Sequence, residues 1–161
     1  MIEKVSIENT DAICDIYNYY VKNTIITFEE NPVTYKEMEN RVSEISSSYP
    51  FYIFKENNEI LGYAYAYKFK ERSAYRFASE VTVYLKNGSY GNGIGTKLYS
   101  RLLEELKVKN IHSAIGIIAL PNEASVRLHA KFGFNKVAHF TEVGLKFNKW
   151  IDVGYWELLL K

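Results

Sequence analysis

The chain has 161 residues, enough for one domain with a sizeable core. Apolar residues make up 47% and charged residues 24%, and a net charge of +1 gives no reason to expect nucleic acid or an anionic membrane as a partner. The single cysteine, Cys14, excludes an internal disulfide and points to a reducing, cytoplasmic setting.

The amino terminus lacks the basic and then apolar run of a signal peptide, and no apolar stretch approaches the ~18 residues that span a bilayer. A short strand is expected over 3–7. Helical spacing follows at Ile13, Ile16, Tyr17, Tyr20 and Val21, with Thr10 or Asp11 as the cap. Residues 23–32 read as a loop. Thr34 and Glu37 match a capping box ahead of a helix with Met38, Val42 and Ile45, which Tyr49-Pro50 ends. Strands over 51–55 and 60–69 flank a turn at 56–59, and a third over 76–85 leads into a glycine-rich turn. A helix over 94–109, a strand over 113–119, a helix over 122–132 stopped by Gly133, and strands over 135–142 and 153–160 complete the chain. With no linker or repeat, residues 1–161 read as one α/β domain with a mixed sheet flanked by helices. The 14 tyrosines crowd into a few segments and suit half-buried strand and helix faces; a polar-rimmed pocket or a dimer interface is the other reading.

The turn carries the chemistry. Tyr90-Gly91-Asn92-Gly93-Ile94-Gly95-Thr96 joins a strand carrying Val83, Tyr84 and Leu85 to a helix N-terminus. Glycines allow close backbone approach, and free N–H groups with the positive end of the helix dipole favour an anion, most often phosphate. A nucleotide P-loop would need Gly-Lys-Ser/Thr, and here Thr96-Lys97 follows Gly95 in the wrong order. A dinucleotide fingerprint would need a third glycine where Thr96 stands. Coenzyme A remains, and a second segment supports it: Asn122, Ser125, Leu128, His129, Gly133 and Phe134.

With these two segments the chain resembles the GNAT superfamily of N-acetyltransferases. Its first motif, Arg/Gln-x-x-Gly-x-Gly/Ala, is met by Gly93 and Gly95, with Tyr90 in place of Arg or Gln. The later helix pattern, Asn-x-x-Ala/Ser-x-x-Leu-Tyr/His-x-x-x-Gly-Phe, is met at every position. Further fragments resemble the phosphinothricin N-acetyltransferase-like branch. They are Ile16-Tyr17-Asn18, Thr27-Phe28-Glu29, Gly62 to Ala66, Arg72 to Arg76, Glu80 to Tyr84, Leu120-Pro121-Asn122 and Val143 to Val153.

The resemblance implies a GNAT fold and transfer of an acetyl group from acetyl-CoA to the amine of a small amino-acid-like acceptor, of the phosphinothricin, methionine sulfoximine or methionine sulfone type. It assigns Glu80 and His129 to proton handling, since an amine must lose protons and the departing thiolate must gain one. It assigns Val83, Tyr84, Leu85, Tyr90, Gly91, Asn92, Gly93, Ile94, Gly95, Thr96, Asn122 and Ser125 to the coenzyme, and Arg72, Tyr75, Arg76, Phe77 and Lys146 to the acceptor. Asn122 reads equally as a helix cap. A homodimer is expected by the same likeness. Cys14 has no evident base partner for an acyl-enzyme route, so direct attack in a ternary complex is expected. No His, Cys, Asp or Glu spacing suggests a metal. The competing readings are a different amine acceptor, such as a protein N-terminus or polyamine, and a non-catalytic acyl-CoA binding module.

Overall fold

Alternating apolar residues form seven strands, and two helical layers cover the sheet they build. A computed structural model describes residues 1–161. In chain order the elements are β1 (Ile2–Lys4), α1 (Thr10–Asn23), α2 (Tyr35–Ser48), β2 (Phe51–Glu56), β3 (Glu59–Lys68), β4 (Ala78–Leu85), α3 (Ile94–Val108), β5 (Ser113–Leu120), α4 (Glu123–Lys131), β6 (Asn135–Lys146) and β7 (Lys149–Leu159). The sheet order is β1-β2-β3-β4-β5-β7-β6. All neighbours pair antiparallel except β4 and β5, which run parallel. No helix is long and apolar enough to cross a membrane.

Strand alternation sends successive β4 side chains to opposite faces. On one face Val81 joins Leu98, Tyr99, Leu102 and Leu106 of α3, with Val83 and Leu85 packed against the same cluster. Each fully buried leucine there adds roughly 1.5–3 kcal/mol of apolar burial. On the other face Tyr84 packs with Tyr63, Tyr65 and the α1 residues Tyr17 and Tyr20. The tyrosine crowding is therefore a cross-sheet aromatic cluster, with Tyr17 and Tyr20 set 5.3 and 5.1 Å from the Tyr84 ring.

Three departures from the expected elements have local causes. The first strand stops at Lys4, because the Asn9 carboxamide accepts the Ser6 N–H and turns residues 7–9 into a 3₁₀ turn. Asn9, rather than Thr10 or Asp11, becomes the α1 cap position. β6 continues to Lys146 because Glu142 adopts φ 52° and donates its N–H to Asp152, which absorbs the register shift and lets pairing resume at Gly144.

Candidate active site

The sheet splits at one point. β4 and β5 pair only from Ala78–Ser113 to Glu80–Ile115, so from Val81 onward β4 has no strand partner on that side. A cavity of about 590 Å³ occupies the fork and is lined from both faces of the sheet. An unpaired strand edge beside a cavity can hydrogen-bond an extended ligand as an added strand.

On the α3 face the site is made of backbone. Gly93 takes φ 72° at the α3 N-cap position, and Gly91 takes φ 84° just before it. These left-handed positions suit glycine and aim the first N–H groups of α3 outward. No acidic residue sits in the first turn of α3 to compete with an anion. Gly95, Val83 and Leu85 line the cavity from this face and Tyr84 from the opposite one, whereas Ile94 is buried in the core below the turn. Gly91 and Asn92 are exposed, and the Thr96 hydroxyl accepts from Lys131 at 3.4 Å. Tyr90 lines the cavity too. Its hydroxyl lies 3.0 Å from that of Tyr20, which donates at 2.5 Å to the Leu85 carbonyl. The tyrosine at the Arg/Gln position thus ties the glycine turn to α1 and to the end of β4.

α4 approaches from the same face. Asn122 caps it, its side-chain oxygen accepting the Ser125 N–H at 3.2 Å, while Asn122 and Ser125 both line the cavity. His129 follows two turns along the helix, buried but facing the cavity. Its Nδ1 lies 2.7 Å from the Ser125 carbonyl, which can only accept, so Nδ1 carries the proton. Nε2 therefore accepts from the Tyr99 hydroxyl at 3.0 Å, and that hydroxyl has a second acceptor in the Val81 carbonyl at 3.3 Å. Burial lowers the His129 pKa, partly opposed by the Ser125 hydrogen bond, and keeps the ring neutral. Gly116 makes room for it: a Cβ there would lie 2.2 Å from Nε2.

Glu80 stands at the vertex, on the last residue pair before the strands part, and lines the cavity. Burial raises its carboxyl pKa above the ordinary range. Alternation places Glu80, Thr82 and Tyr84 on the α1 face, where Ile26, Thr27 and Phe28 of the α1–α2 loop complete the wall together with Ile117 and Val153.

The residues expected to bind the acceptor lie elsewhere within a single copy. Arg72, Tyr75, Arg76 and Phe77 are exposed ahead of β4. Arg76 donates to the Ser73 carbonyl and lies over the Phe77 ring at 4.6 Å, while Tyr75 packs edge-on against Phe69. Lys146 is 1% exposed, and its ammonium donates at 2.7 Å to the Thr27 carbonyl instead of facing the cavity. No lysine or arginine lines the cavity. Conversely, Tyr99, which the sequence did not single out, lines it, as do Ile26, Thr27 and Phe28, the last two of which the sequence marked only as part of a resembling fragment and gave no site role. Tyr99 lies at core spacing on α3, one residue after Leu98, and nothing local separates it from the packing stripe. No group of three or more His, Cys, Asp or Glu side chains could hold a metal.

Comparison with known proteins matches residues 4–154 to the acetyltransferase (GNAT) domain family. A phosphinothricin N-acetyltransferase of Streptomyces coelicolor is 40% identical over 154 residues, covering 93% of this chain and 90% of the relative. An L-methionine sulfoximine/L-methionine sulfone acetyltransferase of Salmonella typhimurium is 32% identical, covering 92% and 88%. Among solved structures, a phosphinothricin acetyltransferase from Sinorhizobium meliloti in complex with acetyl-CoA superimposes with a TM-score of 0.96 at 31% identity, covering 99% and 88%.

Proposed function

The chain belongs to the GNAT acetyltransferase family, and from that premise we propose that this acetyl-CoA-dependent enzyme acetylates the amine of a small amino-acid-like acceptor, of the phosphinothricin, methionine sulfoximine or methionine sulfone type. The observation that carries the reading is the forked sheet with Glu80 at its vertex, open to a backbone-lined side and to an apolar-walled side. Acetyl-CoA fits the first side: an α3 N-terminus free of acidic residues for the pyrophosphate, and an unpaired β4 edge for the pantetheine arm. The acceptor takes the second, where Ile26, Phe28, Ile117 and Val153 suit a short apolar side chain.

When bound, acetyl-CoA supplies an activated acyl carbon and a thiolate leaving group. The acceptor amine arrives protonated at neutral pH, and Glu80, its carboxyl raised by burial, takes the ammonium proton. The neutral amine then attacks the thioester carbon; the C–N bond forms, the C–S bond breaks, and the nitrogen sheds a second proton. Nε2 of neutral His129 accepts that proton and passes it to the sulfur. The Tyr99 hydroxyl swings to the Val81 carbonyl, which frees Nε2 and turns the phenol oxygen into an acceptor for the transient imidazolium.

The acceptor's carboxylate needs a cation that the cavity of one copy lacks. In a homodimer the exposed Arg72 and Arg76, with Tyr75 and Phe77 beside them, supply it. Val143, Leu145, Phe147 and Trp150, all exposed around the β6–β7 hairpin, provide apolar surface for that association. A cytoplasmic setting agrees with the one free cysteine.

The test is thiol release from acetyl-CoA across a panel of amines. Turnover with phosphinothricin, methionine sulfoximine or methionine sulfone, and far less with polyamines or peptide N-termini, is expected. Preference for a polyamine or a peptide amine would refute the acceptor class.

A further inference from the structure

Lys146 is the one buried cation of the chain, and the chemistry above does not use it. It reaches from the last residue of β6 to the backbone of the α1–α2 loop, donating to the Thr27 carbonyl across 119 positions of sequence. Two residues earlier, Gly144 lies under Phe28: a Cβ at Gly144 would sit 2.3 Å from the ring. The same loop is tied from α1, where the Tyr17 hydroxyl meets both Thr27 and Glu29. Arg41 of α2 then grips the Glu29 carboxylate with both terminal nitrogens, at 2.9 and 2.6 Å. Beyond it, Asn18 exchanges two hydrogen bonds of 2.8 Å with the Val33 backbone.

A loop of this length has few backbone partners of its own, so side chains from α1, α2 and β6 hold it. What they hold is a wall of the cavity: Ile26, Thr27 and Phe28 face the fork opposite the α3 side. The two β6 contacts, one polar and one steric, converge on adjacent residues of that wall.

We propose that Lys146 is a positioning residue for the acceptor, its ammonium pinning the Thr27 carbonyl while Gly144 seats Phe28, so that β6 sets the shape of the acceptor half of the cavity. The proposal rests on the acetyltransferase reading and on the acceptor occupying the α1 side of the fork. Lys146 acts through Thr27 and Phe28 and does not touch the acceptor.

The experiment measures KM for L-methionine sulfone, for its methyl ester and for acetyl-CoA in the wild type, Lys146→Met and Gly144→Ala. Methionine keeps the apolar stem and removes the donor; alanine displaces Phe28 independently of any charge, and carries the test if Lys146→Met does not fold. Both variants are expected to raise the acceptor KM roughly tenfold for the acid and the ester alike, with acetyl-CoA KM unchanged. Amide hydrogen exchange at residues 26–29 should rise in both, and exchange at the start of α3 should not. A lowered melting temperature with both KM values unchanged would reduce Lys146 to a stability role and overturn the proposal. A loss confined to the acid, with the ester unaffected, would make Lys146 a direct carboxylate ligand and overturn it as well. Thiol release by no form of the enzyme, wild type included, with any amine of the panel would remove the acceptor reading and this inference with it.

Discussion

The two sides of the fork are built in different ways. The α3 side uses backbone: left-handed glycines, a helix N-terminus and an unpaired strand edge, contributed by Val81 to Gly95 and the start of α4. The α1 side uses side chains from α1, α2, β4, β5, β6 and β7, brought together only by the tertiary fold. A group common to every turnover can be met by fixed backbone dipoles, whereas the variable partner is met by side chains that can change without disturbing the sheet. Glu80 and His129 sit where the two constructions meet.

The largest expected effect is at that meeting point. Glu80→Gln should lower kcat/KM about 10²–10⁴-fold. In the wild type the acid limb of the pH–rate profile should fall above the usual glutamate range, because burial raises this carboxyl; in the variant that limb should vanish. An unchanged profile in Glu80→Gln would move proton removal elsewhere. His129→Gln should lower kcat on the order of 10²-fold with smaller changes in either KM. It should also alter stability at low pH. The folded pKa of His129 is depressed, so its neutral form contributes stability that is present above its unfolded value of ~6.5 and lost as pH falls through the folded value. Melting curves of His129→Gln should therefore fall less steeply in acid than those of the wild type.

Smaller effects separate the two sides. Tyr90→Phe removes the hydroxyl link to Tyr20 and should raise acetyl-CoA KM a few-fold, in keeping with ~0.5–1.5 kcal/mol for one neutral hydrogen bond, while acceptor KM stays put. An equal shift in acceptor KM would show that the turn is not a donor-side device. The smallest effect concerns packing alone. Ser79 carries the one buried side-chain polar atom without a partner, on β4 next to Glu80. Ser79→Ala should leave KM values unchanged and leave stability equal or higher by about 1 kcal/mol, since an unsatisfied hydroxyl is removed. Urea unfolding measures this, and a clear loss of stability would show that the hydroxyl has a hidden partner.

How much could be read from the sequence follows the same division. The glycine turn, the Asn122 cap and His129 lie in two contiguous stretches whose spacing is their geometry, so the α3 wall of the cavity was legible. Glu80 was named by resemblance, as a carboxylate at the head of the strand entering the turn, and its place at the vertex of the fork appears only once β4 and β5 are paired. Tyr99 was not, because a tyrosine beside Leu98 on an amphipathic helix looks like any core residue until its hydroxyl is seen against His129. The joining of the α1 wall was hidden for a different reason: Lys146 and Thr27, each noted in the sequence, meet only because β6 runs past the point where its apolar alternation breaks. That continuation depends on one left-handed residue, Glu142, held by Asp152. Local pattern carries no trace of such a contact.

In the proposed reaction, donor and acceptor enter from opposite faces and react directly across the fork. Initial rates of thiol release, with acetyl-CoA varied at several fixed concentrations of L-methionine sulfone, test it most directly. Lines that intersect in the reciprocal plot, with no acetylated protein when acetyl-CoA is present alone, are the predicted result. Parallel lines together with an acetyl-enzyme detected by intact mass would contradict it.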